Sequence, residues 1–196
     1  MAHQPLTVYD WPASANRLKL DNNLLVIALR TALSMPRAEA RLKIRAALKE
    51  ALAQLLACSA ADIEFLAQPG QALRLLKPKQ NIGLSISHEA GISLAAIHIN
   101  GTVGIDLMAL SSTPASNEIH TLATDYLGSK IAQQLDCLPV NQQANGFAKV
   151  WTAFEASLKC SGEQLMEWNE ATENRLAQYT CRDLILPDGY IGTVAY

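Results

Sequence analysis

Charge is scarce in this sequence. Asp, Glu, Lys and Arg make up 17% of its 196 residues, and 16 basic against 18 acidic side chains leave a net charge of −2. That balance excludes a protein held to nucleic acid or to a membrane surface by bulk charge, because such binding needs many cations against phosphates. No nucleic-acid or membrane partner is therefore expected. Long apolar runs are also missing: the longest, LLVIAL at Leu24–Leu29, is far below the roughly 20 residues that span a bilayer. The opening MAHQPLTVYDW contains no apolar stretch of signal-peptide length. Cysteine is rare as well. Cys58, Cys137, Cys160 and Cys181 lie far apart with no C-x-x-C pair, which excludes a zinc ribbon or finger. They read as reduced thiols, so a cytoplasmic protein is expected. Internal repeats and low-complexity linkers are absent. What is plentiful is apolar material, 49% of the chain, enough for one large core or two smaller packed ones.

The apolar residues are patterned. LLVIAL reads as a buried strand. In S34-M-P-R, Ser34 is a candidate N-cap and Pro36 suits a first helical turn. A long helix to about Ala57 is predicted, with Ala38, Leu42, Leu48, Leu52 and Leu55 as its apolar face. A-D-I-E-F-L-A-Q-P-G predicts a strand closed by a turn. I82-G-L-S-I-S-H alternates like a half-buried strand. I92-S-L-A-A-I-H-I and T102-V-G-I-D-L flank Asn100-Gly101, a strong hairpin signal. Alternation puts Val103, Ile105 and Leu107 on one face, and Gly104, Asp106 and Met108 on the other. Further on, helices are predicted near 117–135 and 147–160, the latter stopped by Ser161-Gly162, with LPVNQQANG as a loop before it. Strands are predicted near 176–181 and 190–195. The pattern is α+β in two lobes of similar size, residues 1–108 and 109–196.

Several residues stand out chemically. Arg37, Arg41, Arg45 and Lys49 recur every four residues and form a basic stripe. Like charges at that spacing cost a few tenths of a kcal/mol per pair. The stripe is either a solvated face or a site for a polyanion such as a nucleotide phosphate. Ser87-His88 ends a strand, where side chains reach a crevice, but no G-x-S-x-G elbow surrounds Ser87, so it is no hydrolase nucleophile. His98, inside a strand, is expected to pack there. Asp106 is a carboxylate in a strand that otherwise reads as core, which requires a partner or a metal. Glu155 adjoins the apolar face of Phe147, Val150, Trp151, Phe154 and Leu158. With Lys159 it makes either an ordinary i,i+4 ion pair worth about 0.3–0.5 kcal/mol or, with Asp106, the carboxylates of a magnesium–phosphate site.

In order, S-I-S-H-E-A-G (85–91), V-G-I-D-L-M (103–108) and W-T-A-F-E-A-S-L-K (151–159) resemble the three motifs of the 4′-phosphopantetheinyl transferases. A-R-L-K-I-R-A-A-L, A-D-I-E-F and the closing D-G-Y-I-G-T-V-A resemble flanking segments of the same family. The resemblance implies a pseudo-dimeric α+β fold with the active site between two lobes. It implies Mg²⁺-dependent transfer of the phosphopantetheine arm of coenzyme A to a serine of an acyl or peptidyl carrier protein, releasing 3′,5′-ADP, and a two-lobed chain of this size is expected to be a monomer. On matching positions, Asp106 and Glu155 would be metal ligands, with Glu155 also the base for the carrier serine. Lys159, Ser87 and His88 would meet the coenzyme, and Arg41, with Arg45 or Lys49, would hold its adenylate end. Four departures accompany the likeness. Met108 stands where many members have a second acid, Phe154 where a lysine is usual, and Glu89 where a serine is usual. Gln71 replaces the lysine of a G-K-P, with Arg74 and Lys77 as nearby cations. A non-catalytic relative that binds coenzyme A or a carrier protein is the alternative.

Overall fold

The computed structural model describes residues 4–13, 18–68 and 72–196. Two sheets lie face to face between two long helices. The larger sheet is built from β2 (Tyr9–Asp10), β3 (Leu24–Arg30), β4 (Glu64–Leu66), β5 (Arg74–Lys77), β6 (Ile82–Glu89) and β7 (Ile92–Ile99), in the order β2-β3-β7-β6-β5-β4. The smaller contains β1 (Leu6–Thr7), β8 (Gly104–Ala109), β9 (Cys181–Ile185) and β10 (Tyr190–Ala195), in the order β1-β9-β10-β8. Helix α1 (Arg37–Leu56) covers the outer face of the first sheet. Helix α4 (Val140–Ser161) covers the second, with α2 (Ser116–Leu127), α3 (Ser129–Asp136) and α5 (Glu170–Leu176) beside it. The expected α+β class is thus observed.

Burial explains the layers. Leu25, Ile27, Leu84, Ala95 and Ile97 meet Ile44, Leu48, Ala51 and Leu52 of α1. On the other side Leu24, Val26, Ile92, Leu94 and Ala96 meet Val103, Ile105, Leu107 and Val194 of the second sheet. Strands β3 and β7 are therefore buried on both faces, which is why LLVIAL is apolar without alternation. Each fully buried Leu or Ile contributes about 1.5–3 kcal/mol. On α4 the approach is closest at Gly104, where a Cβ would run into the carbonyl of Ala156.

Several elements differ from expectation. Asn100-Gly101 does not close a hairpin. Both edges of β7 are already taken, by β3 and β6, and β8 pairs instead with β10 from Gly104↔Ala195 to Ala109↔Tyr190. Asn100, in the left-handed region at φ 63°, hands the chain from one sheet to the other. The tight hairpin is β6–β7, through Ala90 and Gly91, where Glu89 pairs Ile92 and Gly91 has φ +84°. The face of α1 is Ala40, Ile44, Ala47, Leu48, Ala51 and Leu52, while Leu42 is 67% exposed. Of the expected face, Leu48 and Leu52 are buried and Leu55 packs against the core, while Ala38 and Leu42 face outward; the small alanines let the helix sit close to the sheet. No side chain caps α1, and Pro36 rather than Ser34 occupies its N-cap position. Gly128, at φ +88° beneath the Trp168 ring, splits the helix expected near 117–135 into α2 and α3. The polar 141–145 stretch forms exposed or half-buried first turns of α4, not a loop. Residues 176–181 hold the C-terminal end of α5, a helix whose N-terminus Asn169 caps by accepting the Thr172 N–H, and the strand begins only at Cys181. Among the described residues no helix is long and apolar enough to cross a membrane.

Candidate active site

Where the two sheets meet, β6 passes β8. The Ile105 N–H donates to Ser85 Oγ at 3.1 Å, and Ser87 Oγ donates to Asp106 Oδ1 at 3.0 Å. All of these side chains are buried, Asp106 to 8% exposure and Ser87 to 6%. The expected alternation of β8 places Asp106 on the face toward α4. From that helix Lys159 Nζ donates to Asp106 Oδ1 at 2.6 Å and to the Ile105 carbonyl at 3.1 Å. The local Glu155–Lys159 ion pair considered above is therefore not what holds Lys159; its carboxylate partner sits on β8, the strand beneath α4. Asp106 is the more buried acid and gains more from a counter-charge.

Glu155 lies one turn before Lys159 on the same helical face and is half-buried. Burial pushes its carboxyl above the ordinary range, and the charge of Asp106 adds to this, against the opposing pull of Lys159. It has no hydrogen-bond or ion-pair partner among the described residues. These groups open onto a cleft of about 1230 Å³, walled on one side by Arg37, Arg41 and Arg45 of α1 and by Arg74 of β5. None of the four guanidinium groups forms an ion pair among the described residues, so this wall of the cleft presents cations open to an anionic ligand. His88 lines it too, half-buried, with Nδ1 2.8 Å from Ser93 Oγ. Burial and then the charges of Arg41, Arg37, Lys159 and Arg45 lower its pKa to about 4, so it is neutral at pH 7.

The structure thus brings Arg41, Arg45, Ser87, His88, Asp106, Glu155 and Lys159 to one cleft. It does not bring Lys49, which is not among the lining residues. Twelve residues of helix put it about 18 Å along the axis from Arg37. Arg37 of the basic stripe also lines the cleft, as does Arg74, one of the two cations near Gln71, which its pairing with Gly83 brings there. Lys77 is taken by Glu64 at 3.0 Å. Glu89 and Met108 line the cleft, and Met108 also packs with Phe154 against the cluster of Phe147, Ile119 and Leu135. Trp151 lies between Phe147 and Phe154, with ring centroids 5.3 and 6.3 Å away. Phe154 therefore extends an apolar cluster. Gln71 lies outside the described residues. His98 packs edge-on to Tyr196, as its place in a strand suggested.

Among the described residues no three His, Cys, Asp or Glu side chains gather into a metal cage. A magnesium ion held partly by substrate phosphates needs only one or two carboxylates. Asp106 and Glu155, two hard oxygen donors whose charges oppose each other, fit that requirement.

No protein-family model matches the chain. Over 123 residues it is 27% identical to a putative 4′-phosphopantetheinyl transferase of Synechocystis sp., covering 62% of this chain and 49% of that protein. Over 86 residues it is 29% identical to the 4′-phosphopantetheinyl transferase HetI of Nostoc sp., covering 44% of this chain and 35% of that protein. The matched part therefore spans about half or less of these curated relatives. Together with the α+β architecture of two sheets, these similarities support a divergent relationship to the 4′-phosphopantetheinyl transferases.

Proposed function

We propose that the cleft transfers the 4′-phosphopantetheine arm of coenzyme A to a serine hydroxyl of an acyl or peptidyl carrier protein, in a cytoplasmic enzyme that acts as a monomer. The observation that carries this reading is the meeting of two carboxylates and Lys159 with an arginine wall in one cleft between the sheets. Arg37, Arg41 and Arg45 suit the phosphates of the adenylate end, where guanidinium groups make two-pronged contacts. Neutral His88 adds a hydrogen bond there without adding charge. Lys159 balances negative charge beside Asp106 as the phosphate leaves. Glu155, with its raised pKa, is a stronger base than an ordinary glutamate. It takes the serine proton as the serine oxygen bonds to the phosphorus and the pyrophosphate bridge breaks, releasing 3′,5′-ADP. Asp106 and Glu155 would hold Mg²⁺, which supplies charge neutralisation on the pyrophosphate when bound.

A second reading is a non-catalytic relative that still binds coenzyme A or a carrier protein. It is favoured by Met108 and Phe154, which pack into an apolar cluster where the family resemblance leads one to expect an acid and a lysine. Incubation with coenzyme A, Mg²⁺ and a panel of apo carrier proteins, followed by intact-mass measurement, separates the two. One added arm on a carrier is expected; bound coenzyme A with every carrier unmodified would leave the binder.

A further inference from the structure

We propose that Ser87 is a positioning residue that fixes which oxygen of Asp106 faces the cleft; the inference rests on the transferase reading. The terminal torsion of an aspartate is soft and nearly two-fold, so a lone carboxylate exchanges its oxygens freely. Here Oδ1 accepts from Ser87 Oγ at 3.0 Å and from Lys159 Nζ at 2.6 Å, one donor from each sheet-and-helix layer. Oδ2 accepts nothing among the described residues, and no buried side-chain oxygen there is left without a partner. It is therefore the open oxygen, turned to the cleft that Asp106 lines.

Ser87 is 6% exposed, so water competes little for its hydroxyl proton. That proton goes to the carboxylate, a role distinct from coenzyme contact. Two residues earlier on the same face, Ser85 accepts the Ile105 N–H, so the pair of serines ties β6 to the strand that carries Asp106. Lys159 alone, on a flexible stem and 32% exposed, would hold the charge of Asp106 but not its orientation. With Met108 two residues on, β8 carries no other carboxylate that could replace a misdirected Asp106.

The test compares Ser87→Ala, Ser87→Thr and the unaltered chain by two readouts. One is steady-state transfer to whichever carrier the unaltered chain modifies; the other is Mn²⁺ binding by electron paramagnetic resonance with coenzyme A present. Removing a group that orients a ligand costs about 10- to 100-fold in metal affinity or activity. Ser87→Ala is expected to lower kcat and Mn²⁺ affinity to that extent while KM for coenzyme A changes little, and Ser87→Thr to restore both. Equal kcat and Mn²⁺ affinity in Ser87→Ala would overturn the proposal, as would failure of threonine to restore them. Should circular dichroism show Ser87→Ala unfolded, Ser87→Cys decides: it keeps the size with a weaker donor, so a drop supports the proposal and no change refutes it. If the unaltered chain transfers nothing, the transferase reading fails, and the Mn²⁺ comparison still decides the role of Ser87.

Discussion

Replacing Lys159 by methionine removes one charge of the Asp106–Lys159 pair and keeps most of the apolar stem. Breaking a buried pair from one side costs about 3–5 kcal/mol, because the remaining charge is stranded. Here the Asp106 side chain is 11% exposed and that of Lys159 32%. Solvent therefore reaches part of the site, and the Ser87 hydroxyl still donates to Asp106. The expected loss is reduced accordingly, to about 2 kcal/mol. For a chain of this length that is about 4–8 °C in Tm. Asp106→Asn strands the more exposed ammonium, which keeps the Ile105 carbonyl, and should cost only about 1 kcal/mol. Urea unfolding of the two single variants and the double variant gives the coupling, expected at about 1 kcal/mol or more, with the m-value unchanged. A Lys159→Met loss below about 0.5 kcal/mol, or strict additivity, would refute the argument that this contact is a partly buried, interdependent pair.

Two further outcomes follow from the cleft. Arg41→Ala should raise KM for coenzyme A about ten-fold or more, with kcat within a few-fold, because a cation on the wall binds ground and transition states alike; an unchanged KM would return the stripe to a solvated face. His88 takes up a proton near pH 4 in the folded chain but near 6.5 when unfolded. Between those values the unfolded state holds more protons, so the contribution of His88 to stability falls as pH drops from about 6.5 toward 4 and is constant above. Urea midpoints at several pH values should show that slope shallower in His88→Gln, and identical slopes would contradict the shifted histidine.

The elements legible in the sequence were those whose burial repeats with a local period. The alternating β6 and the body of α4 show such a period, and LLVIAL is legible as a continuous apolar run. The errors came where a local signal has no information about its partner. Asn100-Gly101 encodes a turn, but whether the next strand returns to the same sheet depends on the edges of β7, which β3 and β6 already occupy. The polar start of α4 looked like a loop because exposure and irregularity share a composition. In the cleft, Asp106 drew attention as a carboxylate in a core strand, and Glu155 as one beside an apolar face. Their meeting was suggested by the order of three motifs more than by any spacing. Lys159 was ambiguous, since an i,i+4 glutamate is always near on a helix. Only the packing of α4 on β8 shows that Asp106 claims it. Ser85 and Ser87 looked like the polar half of an alternating strand, and nothing local revealed that they bridge to the other sheet.

The most direct test of the account is intact-mass analysis of a carrier protein after reaction with the unaltered chain and with Glu155→Gln. Glu155 has a raised pKa, so the stability tied to it is present at low pH and lost as pH rises through the folded value. At pH 7 the neutral glutamine should therefore leave the fold as stable or more so. The unaltered chain is predicted to add one phosphopantetheine arm; Glu155→Gln, folded and still binding coenzyme A, is predicted to lose about 100-fold or more in rate. Equal rates from the two proteins would contradict the assignment of Glu155 as the base at the centre of this site.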